Sequence, residues 1–267
     1  MNFFSSIAQS VLFRFCPRSF IKKPLHYIGR WSGSPFLFRG TYGLFYLLRA
    51  RNAVDNHIAR DGIHEGDGIA AVIEQVRKSR ADLFVDIGSN LGSYALAVAK
   101  ETDCKQIFAF EPDPFNRAHL CANIFLNELE DRIRVFDEAV SDTKGEAVFY
   151  AARKTPRTHK ENTGASSLEP LDLDPERTHE VRVQTDRLDN LLGGITGRTI
   201  VVKMDIERHE SRALEGMRNF INNNRVWLQI EIVSTYAEQS RAVLRTLNLI
   251  EQPQAVPGTL DFIFTSP

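Results

Sequence analysis

The sequence predicts an α/β fold with a mostly parallel sheet and helices on both faces, and three observations support this prediction. Apolar runs of strand length alternate with helical periodicity from about residue 69 to the C-terminus. One run enters a helix through a glycine turn, at 84–92. Acidic residues follow several of the runs directly. The chain has 267 residues, 43% apolar and 25% charged, which suits one large domain.

The elements of this fold are predicted in chain order. A helix at 69–76 precedes the first strand at 83–87, and the glycine turn leads into a helix at 91–100. Further strands are predicted at 107–110, 133–140, 146–151, 180–184, 199–204, 226–232 and 260–265. Further helices are predicted at about 112–127, 188–192, 209–222 and 236–247.

Two segments carry additional signals. Pro112 and Pro114 indicate where a helix begins, because proline fits only its first turn. Residues 153–178 are polar and contain three prolines. A stretch of that length without secondary structure is usually a functional loop or a disordered one, and we favour a lid or substrate loop.

The glycine turn contains Asp86, Gly88, Ser89, Asn90 and Gly92. Such a turn presents backbone N–H groups and a positive helix end to a ligand, and glycine lets the ligand approach the backbone. The dinucleotide fingerprint has glycine where this chain has Asp86. A carboxylate there repels pyrophosphate but suits a ligand with an amino group and a sulfonium. The turn predicts S-adenosylmethionine rather than NAD; the structural alternative is that Asp86 only caps the helix.

Two further acids end predicted strands. Glu111 follows the strand after the glycine turn, where an acid of an open α/β sheet binds ribose hydroxyls. Glu231 ends a later strand on the same edge, as either a substrate contact or a salt-bridge partner.

A second cluster of candidates follows the strand at 199–204. Lys203, Asp205 and Glu207 lie on one side of the chain if the period-2 geometry continues. Asp205 and Glu207 are candidate general bases, with His209 as a weaker candidate because a lone histidine early in a helix is usually on the surface. The structural alternative is that both acids cap the next helix. The spacing matches no established metal motif, so no metal site is predicted.

The net charge of −1 conceals an asymmetry. Residues 1–54 contain eight Lys or Arg and no acid, which leaves 25 basic and 34 acidic residues in the rest. We expect 1–67 to be a helical cap or a segment on an anionic membrane surface, and 68–267 to be the catalytic domain. No run is long enough to cross a bilayer, and the three cysteines form no C-x-x-C pair. These features predict a cytoplasmic protein, with peripheral membrane contact through 1–54 as an option.

The ordered motifs resemble those of the FkbM family of S-adenosylmethionine-dependent methyltransferases, from about residue 80 to 232. The matching segments are 85–94, 110–115, 120–127, 139–142, 166–168, 188–191 and 203–207. The resemblance implies a Rossmann-like class I methyltransferase fold with a seven-stranded sheet. It also implies O-methylation, often of sugars or polyketide-like hydroxyls.

The resemblance assigns roles to individual residues. The glycine turn is implied to bind the methionine part of the cofactor, Glu111 the ribose, and Glu138 the adenine, with Asp137 as the alternative. The family tends to continue Lys-x-Asp-x-Glu with Gly-Ala-Glu, whereas this chain has Arg208 and His209 before its glutamate. We therefore expect a different acceptor pocket here.

Our hypothesis is methyl transfer from S-adenosylmethionine to a hydroxyl oxygen of a saccharide or glycolipid. One alternative is an NAD-dependent oxidoreductase on the same sheet. Another is a non-catalytic peripheral membrane or glycan-binding protein. No nucleic-acid partner is expected, because the body is acidic and no N-P-P-Y-like loop follows the fourth strand.

Overall fold

The central feature of the structure is a seven-stranded sheet. The structure is a computed structural model and describes residues 35–49, 52–152, 162–170, 178–233 and 237–267. Its strands are β1 (Phe36–Arg39), β2 (Phe45–Leu48), β3 (Leu83–Ile87), β4 (Gln106–Phe110), β5 (Ile133–Phe136), β6 (Ala139–Val140), β7 (Gly145–Ala152), β8 (Thr178–Asp186), β9 (Thr199–Met204), β10 (Arg225–Glu231), β11 (Ile250–Gln252) and β12 (Asp261–Thr265). Its α-helices are α1 (Ala53–Asp61), α2 (Gly66–Ser79), α3 (Ser93–Glu101), α4 (Pro114–Leu126), α5 (Leu188–Leu191), α6 (Glu210–Gly216), α7 (Arg218–Asn222) and α8 (Ala237–Thr246).

The strand order of the large sheet is β11-β12-β10-β9-β3-β4-β5. Strands β10, β9, β3, β4 and β5 are parallel, and β12 runs antiparallel to both of its neighbours. From β3 the chain passes outward through β4 to β5. It later returns to the other side of β3, where it forms β9 and then β10. The resulting switch point between β3 and β9 is where open α/β sheets bind ligands. The predicted mostly parallel α/β sheet of seven strands is confirmed.

Helices cover both faces of this sheet. Helices α2 to α4 pack on one face with Phe84 and Val201, and α5 to α8 pack on the other with Val85 and Val202. All five residues of β3 are buried, which explains why this strand reads as an apolar run interrupted only by Asp86. The predicted bounds of β3 and β9 are confirmed to the residue.

The chain leaves the large sheet between β5 and β9 to build a second, three-stranded sheet of order β6-β8-β7. The single strand predicted at 133–140 is therefore wrong, because residues 133–136 pair with β4 and residues 139–140 pair with β8. The described segment 162–170 continues this sheet through a bridge between Ser167 and Tyr150.

The N-terminal region differs from its prediction. Residues 36–48 form the antiparallel hairpin β1–β2, so the predicted helical conformation is wrong there. The side chains of Leu44, Tyr46 and Leu48 are fully buried in the core. Two asparagines at the C-terminal end of α4 hold β2: Asn123 within the helix accepts from the Leu47 amide, and Asn127 directly after it accepts from the Phe45 amide, each at 2.8 Å.

Other predictions for this region are also affected. The predicted domain boundary after residue 67 falls inside α2. The predicted membrane-surface segment lies mostly in 1–34, outside the described residues. No helix within the described part of the chain is long and apolar enough to cross a membrane. Cys104 is buried and Cys121 is exposed, and both are free thiols.

Candidate active site

A cavity of about 310 Å³ opens at the carboxyl ends of β3, β4, β9 and β10. This volume lies at the lower end of the range for small-molecule sites. Most of the predicted site residues line it: Gly88, Ser89, Asn90, Glu111, Glu138, Asp205, Glu207 and His209. Asp86 and Gly92 lie behind the wall and do not line the cavity. The sheet edge therefore brings two distant stretches of sequence together, as the prediction required.

Asp86 is almost fully buried beneath the glycine turn. Its Oδ2 accepts a hydrogen bond from the Ala95 amide in the first turn of α3, at 3.2 Å, so it caps that helix. Its carbonyl oxygen accepts from the Ser89 hydroxyl at 2.8 Å. Burial raises the pKa of the Asp86 carboxyl to about 6, against the lowering effect of the Lys203 charge. Its Oδ1 has no hydrogen-bond partner among the described residues, which leaves a buried acceptor in the cofactor half of the site.

The two glycines serve the protein's own packing. Gly88 has a φ of +84°, and a Cβ there would overlap the carbonyl oxygen of Asp205. Gly92 has a φ of +95°, and its Cβ would lie 2.5 Å from Leu120 Cδ1. The glycines thus let the turn after β3 approach the turn after β9 and helix α4. Gly88 also lines the cavity, and the close approach of a ligand to its backbone stays a prediction.

Glu111 connects the glycine turn to the start of α4. Its Oε2 accepts from the Asn90 amide at 2.8 Å, and its Oε1 accepts from the Asp113 amide at 2.9 Å. Burial raises the pKa of the Glu111 carboxyl to about 8. These contacts hold the carboxyl group in the cavity wall in one orientation.

The adenine contact was predicted at Glu138 or Asp137. Glu138 is half-buried between β5 and β6 and lines the cavity. The Asp137 side chain is 66% exposed, faces Arg117 at 4.0 Å and does not line the cavity. The geometry therefore favours Glu138.

Three carboxyl groups converge in the other half of the cavity. Asp205, Glu207 and Glu231 each offer an oxygen within 4.8 Å of the others. Lys203 Nζ, buried, lies 3.0 Å from Asp205 Oδ2 and 4.8 Å from the centre of the Tyr94 ring. Three oxygens at this spacing are compatible with a cation, and the Lys203 ammonium already supplies positive charge there.

Burial and the proximity of other acids raise the pKa of two of these carboxyl groups. Burial, followed by the charge of Asp205, raises the pKa of Glu207 to about 7 and that of Glu231 to about 10. Glu207 therefore exchanges a proton near neutral pH. A general base works best when its pKa lies near the working pH.

The turn that carries Glu207 is conformationally unusual. Glu207 has a φ of +52° and Arg208 a φ of +84°, both in the left-handed region that favours glycine. His209 follows and is buried, so its expected surface position is wrong. Its Nδ1 lies 2.8 Å from Glu169 Oε1, and its Nε2 lies 3.0 Å from Ser141 Oγ. Both ring nitrogens are thus engaged by protein.

Sequence reasoning missed part of the cavity wall. Residues of α1, of the turn before α2 and of the segment 162–170 line it: Ala53, Val54, His57, His64, Glu65, Asn162, Thr163, Gly164, Ser166 and Leu168. The segment 162–170 had been signalled by its polar composition and length. Nothing in the sequence signalled His57 or His64, which belong to no motif.

Comparison with known proteins gives a family match and several relatives. The family described as "Methyltransferase FkbM domain" matches residues 86–254. Hexuronic acid methyltransferase AglP of Haloferax volcanii is 28% identical over 172 residues, which cover 61% of this chain and 61% of that protein. The chain thus spans less than two thirds of that relative.

A second relative and a solved structure are also similar. The 2-O-methyltransferase NoeI of Sinorhizobium fredii is 27% identical over 194 residues, covering 66% of this chain and 76% of that protein. The crystal structure of an FkbM methyltransferase from Methylobacillus flagellatus matches with a TM-score of 0.43 and 15% identity, covering 69% of this chain and 43% of that one.

Proposed function

Because the chain belongs to the FkbM methyltransferase family, we propose that it transfers a methyl group from S-adenosylmethionine to a hydroxyl oxygen of a saccharide or glycolipid. The observation that carries the proposal is a single cavity with two chemically different halves. One half has the glycine turn and Glu111, and the other has the carboxyl groups of Asp205, Glu207 and Glu231. The saccharide acceptor is suggested by the names of the two relatives.

The cofactor half is assigned to the residues near β3 and β4. We assign the methionine part to the turn formed by Asp86, Gly88, Ser89, Asn90 and Gly92. Glu111 would hold the ribose hydroxyls, and Glu138 the adenine. Because Asp86 lies behind the cavity wall, its carboxyl would act on the ammonium group of the cofactor through its charge and through the turn that it holds. The bound cofactor supplies an activated methyl group on a sulfonium.

The acceptor half would hold the hydroxyl and remove its proton. As the hydroxyl oxygen bonds to the methyl carbon, the carbon–sulfur bond breaks and its electron pair stays on sulfur. The hydroxyl proton passes to a carboxylate, either Glu207 or Asp205. Glu207 suits this role because its pKa is about 7. His209 is assigned a positioning role instead, since Ser141 and Glu169 engage both of its nitrogens.

The experiment combines binding and turnover with the full chain. Isothermal titration compares S-adenosylhomocysteine with NAD, and labelled methyl transfer is measured on a panel of methyl glycosides and glycolipids. We expect binding of S-adenosylhomocysteine and transfer to at least one glycoside. Tight NAD binding with no response to S-adenosylhomocysteine would favour the oxidoreductase. Cofactor binding without transfer to any acceptor or cell extract would favour the non-catalytic alternative.

Two variants test the proton acceptor. Glu207→Gln and Asp205→Asn should lower kcat by about 100-fold or more while the affinity for S-adenosylhomocysteine changes less than about threefold. In wild type, kcat/KM should rise with pH through about 7, and Glu207→Gln should remove that rise. The matched control is Glu180→Gln, on the exposed face of β8. Unchanged turnover in both test variants would exclude the assigned role.

A further inference from the structure

One wall of the cavity comes from the region before the family match. Five residues of α1 and of the turn before α2 line the cavity there, and we call them the N-terminal wall: Ala53, Val54, His57, His64 and Glu65. They lie outside the matched residues 86–254, and the proposed transfer assigns none of them a role. The wall is therefore a part of the site that the family match does not cover.

A chain of hydrogen bonds runs along this wall. His64 Nε2 lies 3.2 Å from Glu65 Oε1, and His64 Nδ1 lies 3.2 Å from His57 Nδ1. The Tyr94 hydroxyl also hydrogen-bonds to Glu65, and it accepts from Gln229 Nε2 at 3.2 Å. We call the hydrogen-bonded series Glu65–His64–His57 the relay. It is attached to α3 through Tyr94, which is in turn hydrogen-bonded to Gln229 of β10.

The charge state of Glu65 determines which histidine nitrogens of the relay donate hydrogen bonds and which accept them. Burial alone would raise the pKa of the Glu65 carboxyl, but the hydrogen bond from His64 and the charge of Lys203 hold it at about 2. Glu65 is therefore ionised at working pH. An ionised carboxylate only accepts hydrogen bonds.

The donor and acceptor roles of the two imidazole rings then follow, first for His64 and then for His57. Since Glu65 only accepts, His64 must donate from Nε2, and in the neutral form of His64, the form to which the tautomer test below applies, Nδ1 is the acceptor. His57 must then donate from its own Nδ1. Its Nε2 is left as an acceptor lone pair on an exposed ring at the cavity.

The backbone at Glu65 gives independent support. Glu65 has a φ of +54°, in the left-handed region where residues other than glycine are uncommon. Strained residues of this kind cluster at functional sites, where the surrounding structure holds them. Here the strained residue is the one whose carboxylate orients the relay.

We propose that His57, oriented by His64 and Glu65, binds a second hydroxyl of the acceptor, distinct from the one that is methylated. The inference rests on the proposed function, since it concerns the acceptor of that reaction. His57, Glu207 and Asp205 line the same cavity. A deprotonated ring nitrogen and carboxylate oxygens accept hydrogen bonds, which suits a ligand rich in hydroxyl donors. A substrate with a carboxylate or a methoxy group against His57 Nε2 would place an oxygen lone pair against the nitrogen lone pair. The selected substrate class is thus a saccharide with a second free hydroxyl.

A first test needs no substrate. Long-range ¹H–¹⁵N NMR spectra of the full chain at about pH 8.5 report which ring nitrogen of each neutral histidine carries the proton. Spectra of His57→Gln and His64→Gln assign the signals. We expect His57 protonated at Nδ1 and His64 at Nε2, with both preferences weakened in Glu65→Gln. The opposite tautomer at His57 would overturn the inference.

A second test measures discrimination between acceptors. The probes are a methyl glycoside that wild type methylates and its mono-O-methyl analogues. In wild type, blocking one non-reacting hydroxyl should lower kcat/KM by at least about tenfold. His57→Ala should abolish this discrimination by raising KM for the parent glycoside, with kcat and S-adenosylhomocysteine affinity within about threefold. Glu65→Gln should weaken the discrimination, and the control His179→Ala should not.

The proposed function and the role of His57 can be refuted separately. A wild type that neither binds S-adenosylhomocysteine nor transfers methyl groups would refute the proposed function, while the NMR spectra would still report on the relay. An active wild type whose discrimination survives His57→Ala would refute only the inference. A fall in kcat with KM unchanged would also refute it, because His57 would then act in the chemistry rather than in binding.

Discussion

Several residues around the cavity hold backbone conformations that ordinary side chains disfavour. Glu65, Asn90 and Glu207 line the cavity with positive φ, and Arg208 follows directly with a φ of +84°. Each such residue costs about 1–2 kcal/mol unless the surrounding contacts hold it. For Glu207 those contacts include the Ser167 hydroxyl, which donates to its carbonyl oxygen. The turns of this site are therefore held by tertiary contacts rather than by local preference.

Gly88 offers a direct test of how closely these turns approach. Gly88→Ala should destabilise the protein by about 2–4 kcal/mol, because the new methyl group would overlap the Asp205 carbonyl and the φ of +84° disfavours alanine. Urea denaturation measures the free energy of unfolding. The control is Gly194→Ala, where no atom lies within 4 Å of the added Cβ, and it should change stability by less than about 0.5 kcal/mol. Equal effects of the two substitutions would contradict the packing described for Gly88.

At the scale of elements, the hairpin β1–β2 is part of the core rather than an appendage. Tyr46 is fully buried between the hairpin and the helices, and its hydroxyl has no hydrogen-bond partner among the described residues. Burial raises the pKa of Tyr46 well above its usual range. The hairpin therefore contributes apolar packing to the same core that supports the glycine turn.

Substitutions at Tyr46 separate packing from hydrogen bonding. Tyr46→Ala should cost about 3–5 kcal/mol, because it leaves a cavity in a packed interior. Tyr46→Phe should be neutral or stabilise by up to about 1 kcal/mol, since it removes a buried hydroxyl without a partner. The thermal midpoints of the two variants measure these effects. A small loss with Tyr46→Ala would mean that the hairpin folds independently of the body.

At the scale of the whole molecule, buried acids make stability depend on pH. Burial raises the pKa to about 6 for Asp86, 7 for Glu207, 7 for Glu210 and 8 for Glu111, whereas unfolded carboxyls titrate near about 4. The folded protein thus keeps protons that the unfolded chain releases. The stability contributed by these groups is full below pH about 4 and is lost as pH rises through 6 to 8.

The thermal midpoint should therefore fall between about pH 5 and pH 8.5. Glu210→Gln should make this fall shallower, because the amide at this buried position needs no proton to stay neutral. Differential scanning fluorimetry across the pH range gives the slopes. The exposed control Glu180→Gln should follow wild type in parallel. A Glu210→Gln slope equal to that of wild type would show that Glu210 does not hold a proton in the folded state.

The sequence by itself determined the α/β class, the bounds of β3 and β9, and the edge of the sheet where the site lies. These features were predictable because strands buried on both faces are continuous apolar runs, whatever lies beside them. Parallel strands also bring the residues after their carboxyl ends to one edge. The family resemblance came partly from those same strand ends, at 85–94, 110–115 and 203–207, and partly from segments between them.

Only the tertiary structure decided the hairpin at 36–48, the division of 133–140 between two sheets, the burial of His209 and the relay from Glu65 to His57. Each depends on side chains that meet across the fold, such as Asn123 with Leu47 and His209 with Glu169. A contact of this kind leaves no periodic pattern in the sequence, because neither partner's own neighbours indicate it. The cofactor half of the site follows local rules of strand and turn, whereas the acceptor half arises from contacts between distant segments.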